Sequence, residues 1–398
     1  MSLNNVVSAQ RLHIGFFGMR NAGKSSLVNA ITGQELSVVS DVKGTTTDPV
    51  KKAMELLPLG PVVIIDTPGL DDEGDLGLLR VKKAKEILAT VNIAVLVVDS
   101  TVGKSKLDND LVELFKEKKI PYIIAYNKID LGEKSTLNEN ELYVSSLTGE
   151  GVEEIKEKLG QFAKADKNEK RIVADLLSKD DLVVLVTPID ESAPKGRLIL
   201  PQQQTIRDIL DEHCTVVVCQ DTDLKKTLSM LSVKPKLVIT DSQAFGRVAK
   251  DTPKDIMLTS FSILFARYKG DLAELIKGAS VLSKLKDGDK VLISEGCTHH
   301  RQCNDIGTVK MPTWIENFAK AKVDFHFTSG GEFPDNLEEY RLIVHCGACM
   351  LTEKEMNYRM EKAKGKDIPI VNYGIAIAQM NGILARSLEP FPEILKML

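Results

Sequence analysis

The sequence predicts an α/β protein made of three units, each built on a parallel sheet. Two observations carry that expectation. Short apolar runs alternate with longer amphipathic segments almost from end to end, which is the rhythm of βαβ units. Many of the runs, such as "IAVLVV" at 93–98 and "LVVLV" at 182–186, are apolar throughout, as strands covered on both faces must be.

Taken in order, strands are expected at 12–17, 61–65, 92–98, 120–126, 182–189, 214–220, 236–240, 289–294, 323–328 and 340–345. Helices are expected at 24–32, 78–90, 107–118, 151–164, 203–212 and 352–365. The charged stretch "AKADKNEKR", 163–171, lacks an apolar stripe and reads as a linker. "FARYKGDLAELIKG", 265–278, reads as a helix joining a middle unit to a last one. The expected domains are therefore 1–168, 172–262 and 265–398.

The bulk composition narrows the classes. A net charge of -4, from 52 basic and 56 acidic side chains, gives no dominant basic face for nucleic acid. No apolar run approaches the ~20 residues that span a bilayer. The start, "MSLNNVVSAQRLH", lacks the basic and apolar regions of a secretory signal, so the expectation is a cytoplasmic protein without membrane attachment. Its six cysteines should then be reduced thiols, available for metal binding or catalysis.

The first unit carries the most specific motif. "GMRNAGKSS" runs from Gly18 to Ser26, after the strand "LHIGFF" and at the start of the helix "KSSLVNAIT". Gly18-x4-Gly23-Lys24-Ser25 is a P-loop: glycines let backbone N–H groups wrap phosphates, and the helix N-terminus adds its positive end. Gly18, Asn21, Ala22, Gly23, Lys24, Ser25 and Ser26 should line the phosphates, with Lys24 on the β- and γ-phosphates and the Ser25 hydroxyl on Mg²⁺. "VVIIDTPGL" puts Asp66 at a strand end, where it can hold magnesium through water, and Gly69 where its N–H can meet the γ-phosphate.

"IIAYNKID" ends a strand with Asn127-Lys128-x-Asp130. The Asp130 carboxylate can accept from the N1–H and 2-amino group of guanine. Adenine lacks both donors, and leaving the acid unpaired costs ATP about 1–3 kcal/mol. "VSSLTG" adds Ser145 and Ser146 to the base pocket. This third of the chain resembles the translation-factor-like GTPases, with a Ras/Era-like P-loop fold. By its similarity to the "GTTxD" switch of the Era-like group, "VKGTTTDP" offers Thr46 to Mg²⁺, with Thr45 and Thr47 as competitors. Leu70 stands where Ras-like enzymes have a water-orienting Gln, so water must be positioned another way. Related GTPases with an Asn at the place of Asn21 use it to hold K⁺, which implies slow basal hydrolysis that potassium accelerates; the alternative reading of Asn21 is a simple turn former. The expected catalytic set is Lys24, Asn21, Thr46 and Gly69.

The middle unit shows no catalytic set. Pro201 marks a helix start, with Ile206, Ile209 and Leu210 on one stripe. Cys214 and Cys219 flank "TVVV" and read as core residues, and by elimination the unit is a dimerisation or docking module.

In the last unit "KVLISEGCTHH" places Cys297 and His299 just past a strand, and "YRLIVHCGACM" does the same for His345, Cys346 and Cys349. That edge of a parallel sheet is where ligands sit. Three thiols suit an iron–sulfur cluster or, with one His, zinc; Cys346 and Cys349 alone would suit a redox couple. The residue types leave these open. Cys303 and Glu295 are further candidates near the site, the first also readable as a core residue.

Cys-x-His followed by a distant His-Cys-x-x-Cys, behind a P-loop GTPase and the stretch "PKGRLILPQ", resembles the FeFe-hydrogenase maturation GTPases over essentially the whole chain. The resemblance implies a GTPase, a dimerisation and a cluster-binding domain. It implies a 4Fe–4S cluster on Cys297, Cys346 and Cys349, with His299 or His345 as fourth ligand or as supporting group. It also implies a homodimer that carries a two-iron precursor as cargo, works with radical-SAM maturases and delivers to apo FeFe-hydrogenase, with GTP hydrolysis regulating partners.

Overall fold

The computed structural model describes residues 11–34, 49–69, 84, 86–88, 90–165, 170–188, 198–296 and 305–398. Two compact units divide the chain, Met1–Glu169 and Lys170–Leu398.

The first unit is built on a six-stranded sheet of order β2-β3-β1-β4-β5-β6. Its strands are β1 (Leu12–Phe17), β2 (Val50–Leu56), β3 (Gly60–Asp66), β4 (Ile93–Asp99), β5 (Tyr122–Asn127) and β6 (Glu141–Tyr143). All pairs are parallel except β2 with β3. Apolar side chains leave both faces. Ile14, Phe16, Ile64 and Val95 pack under Leu27, Ile31, Ile155 and Leu159. Phe17, Ile65 and Leu96 pack under Leu88, Leu111 and Phe115. Two-sided burial is why these strands read as unbroken apolar runs. The strand β2 is different: Lys51, Lys52, Ala53 and Glu55 face solvent on an antiparallel edge, so it has no apolar run to announce it.

The second unit holds two four-stranded, all-parallel sheets, β10-β9-β7-β8 and β12-β11-β13-β14. The first comprises β7 (Leu182–Val186), β8 (Thr215–Cys219), β9 (Leu237–Thr240) and β10 (Met257–Ser260). The second comprises β11 (Lys290–Glu295), β12 (Asp324–Ser329), β13 (Leu342–His345) and β14 (Ile370–Asn372). One continuous apolar core runs through both, from Val183 and Ile239 to Ile293, Val344 and Ile375.

The helix expected at 265–278 is two helices, Phe261–Lys269 and Leu272–Ala279. Gly270 lies so close to Met360 that a Cβ there would sit 2.8 Å from its sulfur. Asp271 then caps the second helix, accepting from the N–H groups of Ala273 and Glu274. Leu210 leaves its expected apolar stripe and is 51% exposed. The helix Leu200–Asp211 instead turns Gln202, Thr205 and Asp208 inward with Ile209. Asp208 Oδ2 accepts from the N–H groups of Val173 and Ala174, each at 2.8 Å, and Gln202 Nε2 donates to Asp241 Oδ2 at 2.8 Å. Satisfied polar groups thus set the buried face. Of the two middle cysteines, Cys214 is buried and Cys219 half-buried. Among the described residues no helix is long and apolar enough to cross a membrane.

Candidate functional site

The nucleotide-type motifs of the first unit all follow carboxyl ends of parallel strands: β1, β3, β5 and β6. Two glycines of the loop after β1 are there by necessity. Gly18 has φ 139° and a Cβ would come 2.2 Å from the Val97 carbonyl oxygen. Gly23 has φ 86° and a Cβ would strike Asn127 Nδ2 at 2.2 Å. Asn21 adopts φ 62°, a left-handed turn that Asn tolerates.

Lys24 is buried and folded back over the loop, its Nζ donating to the carbonyls of Gly18 (3.0 Å) and Met19 (2.8 Å). Ser25 Oγ donates to Asp66 Oδ2 at 2.7 Å. Asp66 is buried, and among the described residues its Oδ1 has no hydrogen-bond partner. A buried acceptor without a donor beside a hydroxyl is a donor set that fits a hydrated Mg²⁺. Gly69 closes on the loop, with room for a Cβ only 2.9 Å from the Arg20 Cα. Thr46 and Leu70 lie outside the described residues.

The base-side motifs are tied to the same loop. Fully buried Asn127 donates through Nδ2 to the carbonyls of Ala22 (3.0 Å) and Gly23 (3.4 Å), and its Oδ1 accepts from Ser146 N at 3.0 Å. Asn127 therefore spends its amide on joining three loops. Ser145 Oγ donates to Asp130 Oδ1 at 2.5 Å, fixing the carboxylate. Lys128, at φ 64°, pairs with Asp99 at 2.6 Å. Asp99 had no sequence motif to signal it. Ser26 is half-buried on the first turn of the helix Lys24–Thr32.

In the second unit, β11 lies between β12 and β13, so the strand order reverses between β11 and β13. At that switch point the end of β11 meets the turn after β13. Gly296 N donates to Cys346 Sγ at 3.1 Å, and Ala348 N does so at 3.4 Å. Cys297, His299 and Cys303 lie outside the described residues, and among the described ones no three His, Cys, Asp or Glu gather as a metal site. A sulfur receiving two backbone N–H groups, with Cys349 on the same turn, is a donor set that fits a thiolate-bound iron–sulfur cluster. Burial, and then Cys346 nearby, push the Cys349 thiol up, so charge on both sulfurs needs an offsetting cation or metal.

His345 is fully buried, with both ring nitrogens engaged. Arg359 Nη1 lies 3.1 Å from Nε2, and Nδ1 is 2.9 Å from the Cys346 carbonyl oxygen. The guanidinium can only donate, so Nε2 accepts and Nδ1 carries the proton. Burial, and then Arg359, push the imidazole down to about 3, keeping it neutral. Arg359 is itself buried, with its Nη2 donating to the Gly330 carbonyl at 2.6 Å. Glu295, also buried, accepts from the Tyr373 hydroxyl at 3.2 Å. The helix "EKEMNYRMEKAK" that supplies Arg359 reads as a charged surface helix, and no sequence signal pointed to that residue.

Residues 172–270 match the family described as the hydrogen maturase F dimerization domain, and residues 273–390 the hydrogen maturase F tetramerization domain. Residues 13–128 match the family described as a 50S ribosome-binding GTPase. The chain is 35% identical over 173 residues to the tRNA modification GTPase MnmE of Legionella pneumophila, covering 42% of this chain and 38% of that protein. It is 33% identical over 187 residues to the GTPase Der of Kosmotoga olearia, covering 42% of each. It thus spans about two fifths of the length of these curated relatives. Among solved structures, Aquifex aeolicus Era bound to GDP and aluminium fluoride is similar at 18% identity and a TM-score of 0.35, over 60% of this chain and 97% of that one.

Proposed function

The chain belongs to the hydrogen maturase F family, and from that premise we propose that it is a GTP-hydrolysing scaffold. In this reading it binds a 4Fe–4S cluster and assembles or delivers a two-iron subcluster to apo FeFe-hydrogenase. One observation carries the cluster part: the Gly296 N–H on Cys346 Sγ sets the CxxC turn against the residue preceding Cys297. Cys297, Cys346 and Cys349 would supply the thiolates. A 4Fe–4S cluster held by three thiolates supplies one iron with an exchangeable position. His299 and Glu295 are candidates to fill it. His345, with both nitrogens taken, instead holds the Cys346 backbone. The two-iron unit is cargo, built with radical-SAM maturases. Reduced thiols of this kind suit a cytoplasmic protein.

In the first unit, Lys24 would exchange its two carbonyl partners for the β- and γ-phosphates, while backbone N–H groups from Asn21 to Ser26 wrap them. Ser25, Asp66 (through water) and Thr46 would hold Mg²⁺, which neutralises phosphate charge when bound. Gly69 N–H meets the γ-phosphate. Leu70 cannot orient water, so Asn21 is assigned a K⁺ site and turnover is slow without that ion. Self-association is assigned to β8, the edge strand of its sheet among the described residues, where Val216, Val217 and Val218 lie with Val218 42% exposed.

Anaerobic reconstitution with iron and sulfide tests the reading. Wild type should gain visible absorption and iron that the variant Cys346→Ser loses, and the loaded protein should activate apo-hydrogenase made without maturases. A colourless protein holding one tight zinc would refute it.

A further inference from the structure

Lys269 is the last residue of the helix Phe261–Lys269, inside the segment matched to the dimerization domain. It is 4% exposed. Its Nζ donates to the carbonyls of Ala348 (2.9 Å), Cys349 (3.1 Å) and Leu351 (2.7 Å), which uses all three ammonium protons on one turn. That turn carries a local cost: Ala348 sits at φ 53°, a conformation costly for a residue with a Cβ. Gly270 and the Asp271 cap end the helix where the lysine can reach inward.

The charge is the unusual part. A buried ammonium is costly unless an anion compensates it. Among the described residues no carboxylate lies within ion-pair distance of Lys269. The turn that its Nζ holds carries Cys349, and Cys346 lies three residues earlier in the chain. The helix C-terminus at Lys269 adds a weak negative end. Once ionised, the thiols of Cys346 and Cys349 are the counter-charge that this turn can supply.

We propose that Lys269 is a positioning residue of the cluster site, which clamps the Ala348–Leu351 turn and holds a fixed positive charge behind Cys346 and Cys349. The inference rests on the reading that these thiols hold a cluster. It adds that a residue of the dimerization segment sets the electrostatics of that cluster. A cation at this place favours the reduced, more negative state, so removing it lowers the reduction potential.

The test uses the full-length reconstituted chain, with iron and sulfide counts, a thermal melt and an EPR-monitored redox titration. K269M and K269Q should retain the cluster. Their midpoint should fall by about 59 mV or more, a tenfold loss of preference for the reduced state. K269R, which keeps the charge, should stay near wild type. If K269M does not fold, K269Q is read in the same way. Cluster present in all variants with equal midpoints overturns this inference alone. A wild type that takes up no iron and sulfide overturns the cluster reading and this inference together. Loss of fold in both neutral variants, with K269R intact, makes the charge a requirement of the fold and also overturns the assignment.

Discussion

Replacing Asp130 by Asn should change which base the first unit binds. The carboxylate is aimed before any nucleotide arrives, because Ser145 Oγ holds its Oδ1 at 2.5 Å. Asn keeps an oxygen at that position, so the Ser145 contact and the loop survive. What changes is the second atom, from a charged acceptor to a donor. Guanine offers N1–H and a 2-amino group, each bond to a charged acceptor being worth about 1.5–3 kcal/mol. Asp130 is exposed, which favours the low end. One bond persists in neutral form and the other becomes donor against donor, so the net loss is about 2–3 kcal/mol. That corresponds to roughly 30–150-fold weaker GTP binding. Xanthine carries a C2 carbonyl in place of the amine and should bind the variant better than wild type. Calorimetric titration with GDP and XDP measures both. GDP affinity within threefold of wild type, with no gain for XDP, would refute the assignment of Asp130 to the base.

Three further outcomes follow from the same geometry. Lys24→Ala should abolish GTP hydrolysis while iron content after reconstitution stays at the wild-type level; loss of the cluster in that variant would show that the two sites are not modular. His345→Ala should keep the cluster but lower stability by about 1–3 kcal/mol, because the buried Arg359 guanidinium loses an acceptor. Denaturant unfolding and an iron assay separate the cases, and a stable variant without iron would make His345 a ligand. Val218→Asp, on the edge strand β8, should lower the oligomeric state in light scattering, whereas an unchanged state would move the interface elsewhere.

Much of this was legible in the sequence because the chemistry is local to strand ends. Lys24, Asp66 and Asp130 each follow an apolar run that had to be a strand, and the parallel sheet brings those ends to one edge. Strand β2 escaped because its exposed lysines carry no apolar pattern, β6 and β14 because three residues are too short to show a period, and β10, "MLTS", because half of its four residues are hydroxyl side chains. Lys269 escaped for a different reason. In "FARYKG" a lysine reads as a solvated helix end, and only a turn some 80 residues later buries it. Arg359 likewise sits in a strongly charged helix, beside the apolar stripe of Met356, Met360 and Ala363, yet it is 1% exposed because the groups that satisfy it, Gly330, His345 and Glu355, converge from elsewhere in the chain and its own turn.

The two sheets of the second unit sharpen what fold and side chains each contribute. In both, the first strand is flanked by the second on one side and by the third, then the fourth, on the other. Both therefore have a switch point between first and third strands, between β7 and β9 in one and between β11 and β13 in the other. Topology alone would make either a binding site. At the first, the residues after the strands are Thr187-Pro188 and Asp241-Ser242, with Asp241 held by Gln202. At the second they are Gly296-Cys297 and Cys346, with Lys269 reaching in beneath the turn. The lysine itself begins from the helix that follows β10, the fourth strand of the first sheet. The helix that follows the first sheet thus supplies a buried cation to the turn after β13 of the second, and one apolar core runs through both sheets.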